Sequence, residues 1–180
     1  IILLGITSFY GCSDDTKENN IDTKNGIEVS VNEPSTMPCS GIAKIPHSAA
    51  QNSADVANLF SLNKQTSFTC HNKKTQIVWQ SSESFIPESY FLISSPDNAE
   101  KDPKSCILYA SIDGVSWKAL DVISNIQFSA RSETKEITLG SDFSYQYYKL
   151  ELIAQESSSS IQLSKWGITT KDNGDDEDDP

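Results

Sequence analysis

The stretch from Asp102 to Trp117 constrains the fold of this chain more than any other. Pro103 fixes φ and offers no N–H, so whatever precedes it stops there. Cys106, Leu108 and Ala110 then alternate with Ile107, Tyr109 and Ser111, the two-residue period of a strand with unlike faces. Asp113-Gly114 is the pair that tight hairpin turns favour, because glycine accepts positive φ. Trp117 opens the return strand, placed to cover a core. A strand, a tight turn and an antiparallel partner are therefore expected here.

The remainder repeats that pattern. Gln76 to Gln80 and Tyr90 to Ser95 are apolar enough for strands covered on at least one face, with Pro87 marking a break between them. Ile137 and Leu139 alternate in a shorter strand. Tyr148, Leu150, Leu152 and Ala154 put one apolar face on a long strand, with Lys149 and Glu151 on the other. Gln155 to Ser160 is a polar loop, and Ile161 to Thr169 closes the domain. Ala54, Ala57, Leu59 and Phe60 leave room for a short helical turn. No stretch sustains a 3.6-residue period and no internal repeat is present, so the chain reads as an all-β sandwich.

A chain of 180 residues suits one domain of about 100–150 residues with tails. The net charge of −11 divides into −4 on residues 1–33, −2 on 34–170 and −5 on 171–180. The folded part is close to neutral, which argues against nucleic acid, since phosphate binding needs clustered Lys and Arg. Residues 1–11 form an apolar run of signal-peptide type that ends at Cys12. The run resembles a bacterial lipobox, which implies lipidation of Cys12; the alternative is a cleaved secretory signal with an ordinary cysteine beyond it. Residues 12–35 read as a solvated tether. Its Ser13-Asp14-Asp15 start resembles the surface-export signal of Bacteroidetes lipoproteins. Residues 171–180 read as an acidic tail or linker.

The ordered set Asn58-Leu59-Phe60, Thr66, Ile77-Val78-Trp79, Tyr90 to Ser95, Asp102 to Ser105, Asp113-Gly114 with Trp117, Phe128 with Arg131, Tyr147 to Leu150 and Ile161 to Trp166 resembles the coagulation factor 5/8 type C, or discoidin-like, domain. Its bacterial members include family 32 carbohydrate-binding modules. The resemblance covers roughly residues 36–170 and implies an antiparallel jelly-roll β-sandwich of the galactose-binding-domain type. It places ligand-binding loops at one end, near 46–55, 63–75 and 95–104. Those loops hold His47, His71, Asn72, Asp97, Asn98 and Lys101, planar or charged groups of the kind that bind sugar hydroxyls. Asp97-Asn98 also suits a plain turn. The aromatic candidates nearest to them are Phe68, which the resemblance would bury, and Phe85.

The resemblance also implies a structural calcium ion under the loop after Phe60. The expected Phe-Asp-Gly-Asn is Phe60-Ser61-Leu62-Asn63 here, and Lys165 and Gly167 stand where acids are usual, so no cofactor is expected. With Cys12 lipidated and Cys106 buried in its strand, Cys39 and Cys70 remain for a disulfide. Arg131 is expected to pair with Asp102. Zinc is a poor fit, because Cys70 and His71 are adjacent and Cys39 and His47 lack the usual spacing. No nucleophile elbow or paired-carboxylate motif accompanies the two histidines, so no enzyme is expected. The reading is a monomeric, non-catalytic glycan- or polysaccharide-binding lipoprotein domain at the outer-membrane cell surface, touching membrane only through its lipid. The alternatives are a protein-interaction or spacer domain of the same fold, or the binding module of a truncated glycoside hydrolase.

Overall fold

The computed structural model describes residues 26–46 and 53–171. In order these contain β1 (Gly26–Val31), β2 (Gly41–Pro46), α1 (Ser53–Asn58), β3 (Phe68–Cys70), β4 (Lys74–Phe85), β5 (Pro87–Ile93), β6 (Pro103–Ser111), β7 (Lys118–Ile123), β8 (Thr134–Thr138), β9 (Tyr145–Ala154), β10 (Ile161–Leu163) and β11 (Lys165–Thr170). A six-stranded sheet runs β1-β2-β4-β9-β6-β7, a three-stranded sheet runs β11-β5-β8, and β10 pairs with β3. Every pairing is antiparallel.

The two-residue period decides what lies between the layers. In β9, Tyr148, Leu150 and Leu152 are fully buried. Trp79 lies opposite Tyr148, while Ile77 and Leu108 flank Leu150 from the neighbouring strands. The other layer contributes Tyr90, Leu92, Trp166 and Ile168 to the same core. Phe60, delivered by α1, sits between the indoles of Trp79 and Trp166, with ring centroids 5.2 and 5.9 Å away. Truncating such a ring to alanine costs ~3–5 kcal/mol in a packed core. The Tyr90 hydroxyl crosses to β7 and donates to Asp121 Oδ2 at 2.7 Å. The segment before β2 straps the second layer: the Thr36 hydroxyl donates to the Trp166 carbonyl at 2.6 Å.

Three sequence expectations change. β1 begins at Gly26, inside the stretch read as tether, because Ile27, Val29 and Val31 alternate and pair along β2 from Gly26↔Pro46 to Val31↔Gly41. The turn at Asp113-Gly114 is a wider loop: Ala110 pairs with Lys118, leaving residues 112–117 outside the ladder. Trp117 therefore faces the exterior of the six-stranded sheet, where its ring lies 4.3 Å from Lys149 Nζ, and not the core. The signal-like residues 1–11, Cys12, His47 and residues 172–180 lie outside the described residues.

Candidate functional site

Antiparallel pairing fixes which loops share an end. β2 leaves the sheet, β4 enters it, β6 enters it and β9 leaves it at the same end, since Lys44 lies opposite Val78, Lys74 opposite Ile153 and Pro103 opposite Ala154. The loops 71–73, 94–102 and 155–160 converge there. Lys73 joins the last by donating to the Glu156 carbonyl at 3.5 Å, and Lys104 by a 2.5 Å contact with Glu156 Oε1. The Ser67 and Ser95 hydroxyls are 3.3 Å apart, which ties the loop after α1 to the same end.

His71 is exposed and Asn72 half-buried, at the turn into β4. The Asn72 N–H points at Cys70 Sγ, 3.3 Å away. Asp97 is exposed, and its Oδ1 accepts from the Ser95 hydroxyl at 2.5 Å. Asn98 is half-buried and caps the 3-10 turn Ala99–Lys101, with Oδ1 accepting from the Glu100 N–H at 3.1 Å. The local Asx chemistry thus engages both residues, while Lys101 stands half-exposed at the end of the turn. Phe68 is fully buried, and Phe85 stacks on Tyr148 at 4.8 Å. Neither ring serves these loops.

The expected Cys39–Cys70 disulfide is not formed: both residues are free and buried, as is Cys106. Cys39 precedes β2 and contacts the Ser81 hydroxyl at 2.7 Å, whereas Cys70 ends β3 at the mouth of β4. The Cys70 thiol lies by Thr75, and six strand steps of β4 separate Thr75 from Ser81, roughly 20 Å at ~3.3 Å per strand residue, far beyond disulfide reach. Burial raises the Cys70 thiol pKa and pushes that of Cys106 up to about 11. No group of three or more His, Cys, Asp or Glu among the described residues is arranged to hold a metal ion. The Asn58 carbonyl before Phe60 and the Thr66 oxygens after it face the Lys165 ammonium, which is 1% exposed.

Three further surfaces escaped the sequence reading. On the outer face of the six-stranded sheet, Lys149 is covered by Tyr109 and Trp117, its Nζ 4.6 and 4.3 Å from their rings, and burial lowers its pKa. Beside it Glu151 takes Lys74 Nζ at 2.8 Å and Gln76 Nε2 at 2.6 Å. At the opposite end from the convergent loops, Ile112, Val115 and Phe143 are 71%, 79% and 64% exposed. An open cleft of about 750 Å³ lies on a third flank, lined by Met37, Leu62, Lys64, Phe91 and Glu136, and contains none of the residues read as ligand-binding.

No protein-family model and no curated protein sequence matches the chain. Solved structures do. The C-terminal domain of a chitobiase from Bacteroides fragilis superposes with a TM-score of 0.58 at 12% identity, over 79% of this chain and 97% of that one. A Clostridium perfringens family 32 module solved with GalNAc-β-1,3-galactose gives 0.55 at 10% identity, over 82% and 97%. A pectin-binding carbohydrate-binding module gives 0.52 at 15% identity, over 64% and 79%. The chain has the discoidin-like, antiparallel β-sandwich fold of the family 32 carbohydrate-binding modules.

Proposed function

We propose that this domain is a non-catalytic glycan-binding module, presented from a bacterial envelope by a lipid on Cys12. The observation that carries the reading is the meeting of loops 71–73 and 94–102 at one end of the sandwich, with His71, Asn72, Asn98 and Lys101 on them. Amide, imidazole and ammonium groups there suit paired sugar hydroxyls. The fold neighbours solved with GalNAc-β-1,3-galactose or described as pectin-binding support the ligand class. A shallow polar rim binds weakly per site, and display on a surface recovers retention through multivalency.

Titration of the purified chain against a panel of oligosaccharides tests this. His71→Ala and Asn98→Asp should each weaken the best ligand ~5–10-fold, the loss of one hydrogen bond or so. Asn98→Asp keeps the oxygen that caps the 3-10 turn and exchanges the amide donor for a charged acceptor. Binding to no glycan, or undiminished binding by both variants, overturns the site. Replacing Cys12 by Ser should release the chain from the membrane fraction if the anchor is right.

A second reading, a protein-contact domain, is favoured by the exposed Ile112, Val115 and Phe143 at the other end. A glycan-silent chain that loses a protein partner on Phe143→Ser would establish it.

A further inference from the structure

Lys165 is unusual: an ammonium at the entry of β11 that is 1% exposed and has no carboxylate partner among the described residues. Its Nζ donates to the Asn58 carbonyl at 2.6 Å, the Ser164 carbonyl at 2.9 Å, the Thr66 hydroxyl at 2.9 Å and the Thr66 carbonyl at 3.0 Å. Four oxygens from the end of α1, the loop after it and the β10–β11 junction therefore converge on one positive charge.

We propose that this oxygen cluster is a cation site whose resident cation is the chain's own Lys165 ammonium, standing in for a metal ion. Backbone carbonyls and a hydroxyl are the ligand types a hard dication takes. A dication also wants carboxylates, and Ser61, Lys165 itself and Gly167 occupy the places where the sequence resemblance called for acids. A single positive charge with three donors suits an all-neutral cluster better than a double charge does. Burying an ammonium is unfavourable unless its donors are satisfied, and here each N–H has an oxygen to meet. Burial pushes the Lys165 pKa down to about 8, so the group is charged through the neutral range.

The rest of the loop is braced around the same point. The Ser164 hydroxyl donates to the Lys64 and Thr66 carbonyls at 2.8 and 2.9 Å, Thr66 Oγ1 donates to the Asn63 carbonyl at 2.9 Å, and Asn58 Nδ2 donates to the Ser67 carbonyl at 2.9 Å. Ser67 in turn touches Ser95 on the convergent end. Order in that part of the molecule thus comes from a covalently tethered charge and needs no supply of divalent ion.

Thermal unfolding of the whole chain in millimolar calcium and in chelator is the test, with Lys165→Met and Lys165→Glu alongside. The wild type should melt within about 2 °C in the two buffers, since a protein that binds no ion gains nothing by mass action. Lys165→Met should lose about 5 °C or more in both, because the Asn58, Thr66 and Ser164 carbonyls lose the charged donor they share. Lys165→Glu should be the weaker of the two in chelator and should recover about 5 °C or more with calcium, as a carboxylate turns the cluster into a dication site. A wild type stabilised by calcium to that extent overturns the proposal. So does a Lys165→Met protein that loses nothing. A Lys165→Glu protein indifferent to calcium, or unfolded in both buffers while Lys165→Met folds, refutes the equivalence of ammonium and metal.

Discussion

Arg131 grips Asp102 with both guanidinium nitrogens, Nη1 to Oδ1 at 2.9 Å and Nη2 to Oδ2 at 2.6 Å. This is the pair expected from the sequence. It ties the loop between β7 and β8 to the residue before Pro103, where β6 enters the sheet, and the hydrogen bond to Asp102 raises the Arg131 pKa further. The side chains are 28% and 9% exposed, between a surface pair and a buried one. Asp102→Asn or Arg131→Lys should therefore cost ~2–3 kcal/mol, below the ~3–5 kcal/mol of breaking a fully buried pair. A double-mutant cycle in urea should return ~1–2 kcal/mol of coupling. Coupling near zero would mean that solvent screens the pair as it does on open surfaces.

The free cysteines make a second prediction. Cys39, Cys70 and Cys106 are all buried, and burial holds the Cys70 and Cys106 pKa values high, so little nucleophilic thiolate is present near neutral pH. Alkylation of the native chain followed by mass mapping should leave these three positions unmodified, and denaturant should open all three. The unfolding midpoint should be the same with and without reductant. A Cys39–Cys70 cross-link in the map, with a midpoint that falls on reduction, would reverse the assignment.

Periodicity made the sandwich legible, and the alternation in β6 and β9 located the core residues Leu108, Ala110, Tyr148, Leu150 and Leu152. It could not say which face a residue at a strand's edge takes. Trp117 lies just outside the β7 ladder, so a six-residue loop in place of a two-residue turn swung it to the outer face above Lys149. β1 was missed because it is short and flanked by polar residues, and only pairing with β2 gives its alternation a meaning. The disulfide misreading has the same origin: two cysteines were matched by count, and β4 runs its length between them. Loops 71–73 and 94–102, expected to share an end, do so through the pairing of β4, β6 and β9, while most of the third expected loop, 46–55, lies outside the described residues. The interior role of Lys165 was half visible, as a residue out of place in the closing strand. That its amine reaches back to Asn58 and Thr66 is a tertiary fact.

Gly167 tests how tightly the second layer is strapped. A methyl group there would sit 2.2 Å from the Phe91 ring and 2.4 Å from the Thr36 carbonyl oxygen. Gly167→Ala should lose ~1–3 kcal/mol through overpacking, read as a lower urea midpoint at unchanged slope. Adding Phe91→Ala should restore only part of the loss, because the Thr36 carbonyl belongs to a backbone held by the Phe60 carbonyl and by Ile168. Full recovery in the double variant would show that the strap yields easily.

Asp113 gives the loop between β6 and β7 a defined acid limit. Its Oδ1 accepts from the Ser116 and Val115 N–H groups, each at 2.8 Å, and from the Ser111 hydroxyl at 2.9 Å. Those donors favour the carboxylate and hold its pKa at about 2, below the ordinary 3.8. Gly114 follows at φ +74°, a value that suits glycine. A carboxyl group with a folded pKa below its unfolded one contributes stability above the unfolded value and loses it as pH falls through the folded value. The contribution should thus be whole above about pH 4 and gone near pH 2. Asp113→Asn keeps an oxygen for the same donors without a titrating proton, so its stability should fall less across that window. Carbon-13 titration of the side chain should place the midpoint near 2; a value at or above 3.8 would show that the loop opens in solution.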